Sequence, residues 1–345
     1  MSRMDVMEVF NGILFPGHLH TQDSLEIALK FPFQDTDILI ASYPKSGTTW
    51  MQEMVTLISN RGDPHLSQTV PNWARAPWLE QHYFAAVLEA SSITPRVITT
   101  HLPHHLLGLT LQSSKAKVIY VSRNPKDVLV SFYHFHKMAN FLPEPGTFPE
   151  FLNRFLEGTC ELTSRKKDTF IFQCLVTIAD FMQLDEMYNI LSHLFVPVSY
   201  GSWFDHVKEW TSQTATMSNL LHITYEEMSL DPHGTIKRVS SFLQCPLMDD
   251  EVNNCVKHCS FSSMKDNKMV NYTQIAEEIM DHSKGSFMRK GKIGDWKNMF
   301  TEEQNQYFRS VFKSKMQNCI LEFVWDEQDK EETDNEQIPL KNKEP

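Results

Sequence analysis

The chain has 345 residues, 41% hydrophobic and 22% charged, which excludes wholesale disorder and leaves ample material for a core. Its 32 Lys and Arg stand against 43 Asp and Glu, a formal net charge of −11. Broad attraction to nucleic acid or to an acidic membrane is therefore not expected, whereas a local basic site for a small anion is compatible with that balance.

Residues 1–17 carry neither the apolar core nor the cleavage pattern of a secretion signal. No run of 18 apolar residues exists, and the nearest candidate, 170–184, is short and contains Asp180. Cys160, Cys174, Cys245, Cys255, Cys259 and Cys319 form no C-x-x-C pair and read as reduced thiols. A soluble cytoplasmic protein is the expectation.

In chain order, the apolar stretch Asp37–Pro44 predicts a buried strand, followed by the loop Lys45-Ser46-Gly47-Thr48-Thr49 and a helix from Trp50 to about Gly62. Arg96–Leu102 predicts a second strand, ended by Pro103. Lys117–Asn124 predicts a third, and Pro125 suits the first turn of the helix after it. Leu220–Met228 reads as a fourth strand running into a loop. Apolar strands alternating with helices predict an α/β fold, a single domain over 10–325 with a central, mostly parallel sheet flanked by helices. The segment 159–200 fits this plan poorly: it turns from charged to apolar and reads either as a buried helix or as an added surface element. Residues 326–345 form a polar tail.

Three places have the chemistry of an anion site. The loop from Ser42 to Trp50 joins a strand end to a helix start through Gly47, which aims free backbone N–H groups at one spot, and Lys45, Thr48 and Thr49 add a charge and hydroxyls. The plain alternative is a capped helix start with a solvated lysine. A nucleotide triphosphatase loop would carry its lysine after the second glycine, whereas here the lysine precedes the glycine. Arg123 follows the third strand, with Ser131 about two helical turns on; a forked guanidinium and a hydroxyl suit a phosphate, though a surface arginine and an ordinary helix serine would look the same. The run Phe287-Met288-Arg289-Lys290-Gly291, followed by Gly294–Asn298, is a basic, flexible loop that either folds over a phosphate or is a solvated turn. Three candidates in an acidic protein suggest a ligand with phosphates at two places.

His101 ends the second strand, where open α/β sheets bind ligands, and a neutral imidazole there can serve as a general base. His104 and His105 compete for that role by position. A metal reading of the three histidines lacks a nearby carboxylate, so no metal is expected.

At these residues the chain resembles the cytosolic sulfotransferase family, closest to its 6B class, in which the histidine strand reads TTHL. The resemblance rests on SYPKSGTTW at 42–50, TTHLP at 99–103, VSRNPKDVLVSFYHF at 121–135, YGSWFDHV at 200–207, TYEEM at 224–228 and RKGKIGDWKNMFTEEQ at 289–304. It implies a P-loop-like sulfotransferase fold. It also implies transfer of a sulfuryl group from 3′-phosphoadenylyl sulfate, as co-substrate, to a hydroxyl or amine of a small, mostly apolar acceptor, without a metal. By the family pattern His101 is the base and Lys45 lies at the bridging oxygen. Ser46, Gly47, Thr48 and Thr49 hold the 5′-phosphate, and Trp50 stacks on adenine. Arg123, Ser131, Arg289, Lys290 and Gly291 bind the 3′-phosphate side, while Tyr225, Ser260 and Phe261 line the adenosine pocket. Ser131 would hold Lys45 back until the acceptor arrives. Phe15, Trp78, Tyr83, Phe84 and Phe141 are candidate walls of the acceptor pocket.

Several positions depart from the pattern. Thr99 stands where many members have Lys, and Cys259 where many have Thr. The family's dimer motif is partly echoed by Lys315, Cys319 and Ile320, but Val324 replaces its Glu, so a homodimer is compatible with the chain but not required. About forty residues at 160–199 have no counterpart and read as a real insertion or as a splicing or gene-model artefact. A nucleotide-binding homologue without activity and a magnesium- and ATP-dependent small-molecule kinase are the competing readings.

Overall fold

The computed structural model describes residues 3–4, 6–158, 198–317, 319, 321 and 323–325. The atypical segment at about 160–199 falls almost wholly outside the described residues, and the polar tail 326–345 falls outside them entirely. All four strands read from the sequence are present. Strands β3 (Ile38–Ser42), β4 (Val97–Thr100), β5 (Lys117–Ser122) and β6 (Leu220–Thr224) form one parallel sheet in the order β4-β3-β5-β6. A separate N-terminal hairpin precedes it, β1 (Met7–Phe10) and β2 (Ile13–Pro16). Its two-residue turn is Asn11-Gly12, both at positive φ (49° and 76°), a geometry that Asn-Gly supplies most easily.

The strands are mostly apolar, with polar residues gathered toward their carboxyl ends, because both faces of the sheet are covered. Leu39, Ala41, Ile98, Val118 and Tyr120 face one core, and Ile38, Ile40, Val97, Ile119 and Val121 face the other. The first core is closed by helix α1 (Gln22–Leu29) and the helices Pro125–Met138, Phe148–Glu157 and Trp203–Ser212. The second is closed by α2 (Thr48–Ser59) and the helices Pro232–Phe242 and Asp249–His258. Alternate residues of one strand thus enter opposite cores, which is why no polar alternation marks these strands in the sequence.

Chain order reverses at β3: the next strand, β4, lies on one side of it, and β5 and β6 lie on the other. Such a switch point opens a crevice beyond the carboxyl ends of the strands. Ser42, Thr100, Ser122 and Thr224 are those ends.

Candidate active site

Each strand end delivers one group to the crevice: the loop 43–47 from β3, His101 from β4, Arg123 from β5 and Tyr225 from β6. They line one cavity of about 620 Å³. One end of it is basic, with Lys45, Arg123, Arg289, Lys290 and Lys292 in the wall. Among the described residues no Asp or Glu lines the cavity, although the chain as a whole is acidic. The other end is apolar, bounded by Trp78, Tyr83, Phe141, Ile279, Met280 and Phe287. His101 sits in the wall that both ends share.

Helix α2 begins at Gly47 (φ 105°) without a side-chain cap, so its first backbone N–H groups have no partner in the helix. A Cβ at Gly47 would fall 2.8 Å from the Tyr225 ring, so glycine is required there on two counts. Three buried side-chain donors at this end also lack a partner among the described residues: Ser46 Oγ, Trp50 Nε1 and Arg123 Nε. Buried donors are normally satisfied, so this cluster fits an acceptor-rich ligand such as a phosphate ester. Arg123 is fixed by its Nη1 donating to Lys45 O (3.3 Å), its Nη2 donating to Lys292 O (3.1 Å) and its guanidinium lying 3.9 Å from the Tyr225 ring centroid. Trp50 meets Tyr225 edge to face at 5.3 Å. Arg289 and Lys290 are drawn to Asp295 at 2.6 Å each, and Gly291 (φ 64°) lets the loop pass against Phe261.

His101 is held by backbone. Its Nδ1 lies 2.6 Å from Ser42 O; a carbonyl can only accept, so Nδ1 carries the proton and Nε2 keeps its lone pair. Burial pushes its pKa down to about 3, so the ring is neutral. Glu80, which is fully buried, fixes the strand end: Oε1 accepts from the His101 backbone N–H and Oε2 from Thr100 Oγ1, both at 2.8 Å. Burial pushes the Glu80 carboxyl up to about 7. Trp78 (4.4 Å) and Tyr200 (5.3 Å) pack against the imidazole.

Most of the residues singled out from the sequence converge: Lys45, Gly47, Thr48, Thr49, Trp50, His101, Arg123, Ser131, Tyr225, Phe261, Arg289, Lys290 and Gly291 all line the cavity. Ser46 lies just behind the wall, buried. Ser260 does not reach the cavity, because its hydroxyl caps the helix Phe261–Asp266, accepting from Ser263 N–H. Ser131 is not the partner of Lys45; the ammonium lies instead over the rings of Phe135 (4.1 Å) and Phe287 (4.0 Å). Of the expected acceptor walls, Trp78, Tyr83 and Phe141 are in place, whereas Phe15 and Phe84 are buried in the core. Thr99 is also buried, with its hydroxyl donating to Ala76 O (2.9 Å) and accepting from Gln52 Nε2 (2.8 Å). His105 pairs with Glu209 outside the cavity, and His104 packs on Trp210. Sequence reasoning missed Glu80, Tyr200 and Tyr272, which reach the site through long-range contacts; the only local signal was that Glu80 stands two residues after the named Trp78.

Fold and site together define an α/β protein whose strand ends meet at one cavity with a basic and an apolar end. The sulfotransferase domain family matches residues 35–319. The chain is 38% identical to human Sulfotransferase 2B1 over 94% of its own length and 78% of that protein's. It is 39% identical to dog Sulfotransferase 1A1, covering 87% of this chain and 90% of the relative. Among solved structures it resembles mouse sulfotransferase SULT7A1 complexed with PAP, with a TM-score of 0.66 and 30% identity over 91% of this chain and 95% of that one. The chain belongs to the sulfotransferase family. These relatives come from several classes, so the match establishes the family and not the 6B class.

Proposed function

We propose that this protein transfers a sulfuryl group from 3′-phosphoadenylyl sulfate to a hydroxyl or amine of a small, mostly apolar acceptor, and that it is a 6B-class member. The observation that carries the reaction is the single cavity with cations at one end, aromatic walls at the other and the unprotonated Nε2 of His101 between them. The bound donor supplies an activated sulfuryl group between a phosphate and the incoming acceptor. His101 Nε2 takes the acceptor's proton as its oxygen or nitrogen attacks. Lys45 stabilises the charge that grows on the leaving phosphate oxygen, an interaction strongest in the transition state. The uncapped start of α2, with Ser46, Thr48 and Thr49, holds the 5′ side, and Arg123, Arg289 and Lys290 hold the 3′-phosphate. Trp50, Tyr225 and Phe261 take the base. The TTHL strand supports the 6B reading, and the buried Thr99 hydroxyl supports a reaction run with one cation fewer. Free thiols at Cys245, Cys255, Cys259 and Cys319 agree with a cytoplasmic setting. No helix among the described residues is long and apolar enough to cross a membrane. The described lining offers a magnesium triphosphate no carboxylate ligand, and the lysine before the loop glycine also departs from a triphosphatase loop; both favour the sulfuryl-transfer reading over the kinase.

The test is a calorimetric titration of the full chain with adenosine 3′,5′-bisphosphate without magnesium, followed by transfer assays on His101→Ala. Saturable binding near one site per chain, and a fall of about 10²–10⁴ in transfer with donor affinity kept, are expected. A folded sample that binds no bisphosphate overturns the reading. Binding with no transfer to any acceptor favours instead the inactive homologue, for which Thr99 and the insertion at about 160–199 are the motivating departures.

A further inference from the structure

The basic end of the cavity has two walls from distant parts of the chain. Arg123 stands between β5 and the helix Pro125–Met138, whereas Arg289 and Lys290 stand on the loop that runs to Trp296. Cations on both walls repel each other until an anion lies between them, so the spacing of the walls has to be set by other contacts. Two of these are direct. Arg123 Nη2 donates to Lys292 O, and Asp127 accepts from the backbone N–H groups of Gly294 (2.8 Å) and Trp296 (3.0 Å).

The third contact comes from the far C-terminal stretch. Trp325 O accepts from Asn124 Nδ2 (3.1 Å) and from Trp296 Nε1 (2.7 Å), and Asn124 Nδ2 also donates to Val324 O (3.1 Å). Asn124 directly follows Arg123. Trp296 directly follows Asp295, which pairs with both Arg289 and Lys290. One carbonyl oxygen thus uses its two lone pairs to join the bases of both walls. Asn124 and Trp296 are buried, so water is no ready substitute partner for either donor. The Trp325 ring is anchored in turn, edge to face on Phe312 at 5.0 Å and 4.8 Å from the Lys126 ammonium. We propose that the Trp325 carbonyl is a staple that sets the spacing of the two walls, which makes Asn124 and Trp296 positioning residues for the 3′-phosphate of the donor. The inference rests on the donor assignment proposed above. The 5′ side, built from the loop 43–47 and the start of α2, shares none of the bonds to Trp325 O, so the staple bears on the 3′-phosphate alone.

The test severs the staple from each side. Trp296→Phe removes one N–H and keeps a ring there, and Asn124→Ser removes the other donor and keeps a side-chain oxygen to cap Lys126 N–H. Calorimetric titrations with adenosine 3′,5′-bisphosphate and with adenosine 5′-phosphate give the preference for the 3′-phosphate as a ratio of affinities. That ratio should fall about fivefold in each variant, the scale of one net hydrogen bond, with affinity for the 5′-phosphate within about twofold of wild type. The double variant should lose no more than about tenfold, because either cut already parts the walls, against about 25-fold for independent effects. An unchanged ratio, an equal fall in affinity for both nucleotides, or an additive double variant overturns the staple. If one variant does not fold by circular dichroism, the other decides through the ratio alone. A second readout needs no ligand: the Gly294 and Trp296 amides should exchange hydrogen about fivefold faster in either variant, and unchanged exchange overturns the staple. A wild type that binds the bisphosphate no tighter than the 5′-phosphate overturns the donor assignment, and the exchange readout still decides the staple.

Discussion

Replacing Lys45 with arginine tests the electrostatics of the basic end directly. Burial, with repulsion from Arg123 and Arg289, pulls the Lys45 pKa down to about 7. A bound bisphosphate supplies countercharge and returns the amine toward its ordinary range near 10.4. Binding must then take up the missing proton: about 0.1 proton at pH 6, about 0.5 at pH 7 and about 0.9 at pH 8. Above pH 7, affinity should fall about tenfold per pH unit, because neutral Lys45 must first be protonated. The assay is calorimetry at pH 8 in two buffers of different ionisation heat, whose difference gives the proton count. At that pH a phosphate monoester has already lost its second proton, whose pKa is about 6. Burial holds His101 near 3 and His134 near 4, so neither titrates at pH 8. In Lys45→Arg the guanidinium stays charged, and both the uptake and the alkaline loss of affinity should vanish. Uptake below about 0.2 proton at pH 8 in the wild type, or the same uptake in Lys45→Arg, refutes the reasoning.

Three further outcomes follow from the geometry. With the His101 pKa lowered to about 3, the base form is already populated throughout pH 5–8, so kcat/KM for the acceptor, measured at saturating donor, should show no acid limb near 6.5, where an unperturbed histidine would place one; a limb there means that the imidazole is hydrated in solution. Gly291→Ala drives a Cβ into the Phe261 ring at a φ of 64°. Left-handed backbone and ring displacement together cost about 2–4 kcal/mol, so bisphosphate affinity should drop roughly thirtyfold or more, and calorimetry finding wild-type affinity would contradict the close approach of Gly291 to that ring. Replacing residues 159–197 with a short Gly-Ser linker should leave bisphosphate affinity within about twofold. Gly158 and Ser202 are already neighbours (2.7 Å from an added Cβ), and Tyr200 and Gly201 are anchored by Leu14 O and the Tyr43 hydroxyl. Loss of binding in a folded linker variant would show that the segment takes part in the site.

The anion loop was legible because its chemistry is local: Lys45 through Trp50 form a strand end, a glycine turn and a helix start within nine residues of Ser42. Arg123 and His101 were legible because each closes an apolar strand. Ser260 misled because a serine before a helix serves equally as a cap or as a ligand, and only the position of Ser263 N–H separates the two. Phe15 and Phe84 misled because aromatic side chains line cores and pockets alike; Phe15 packs between His20 and Tyr200, and Phe84 against Phe31. The Asn11-Gly12 hairpin carried a readable turn signal that the strand reading passed over.

What the sequence determined by itself was the set of short-range devices: four apolar strands, their following helices, and the residues at each strand end. Strand order was beyond it, because parallel pairing depends on contacts far apart along the chain. Only the tertiary structure set β3 at the switch point and so gathered Lys45, His101, Arg123 and Arg289 around one cavity. The support of His101 by Glu80 and Ser42, and the packing of Lys45 against Phe135 and Phe287, span 21 to 242 residues of sequence. No local pattern encodes such pairs; packing of the two sheet faces brings them together.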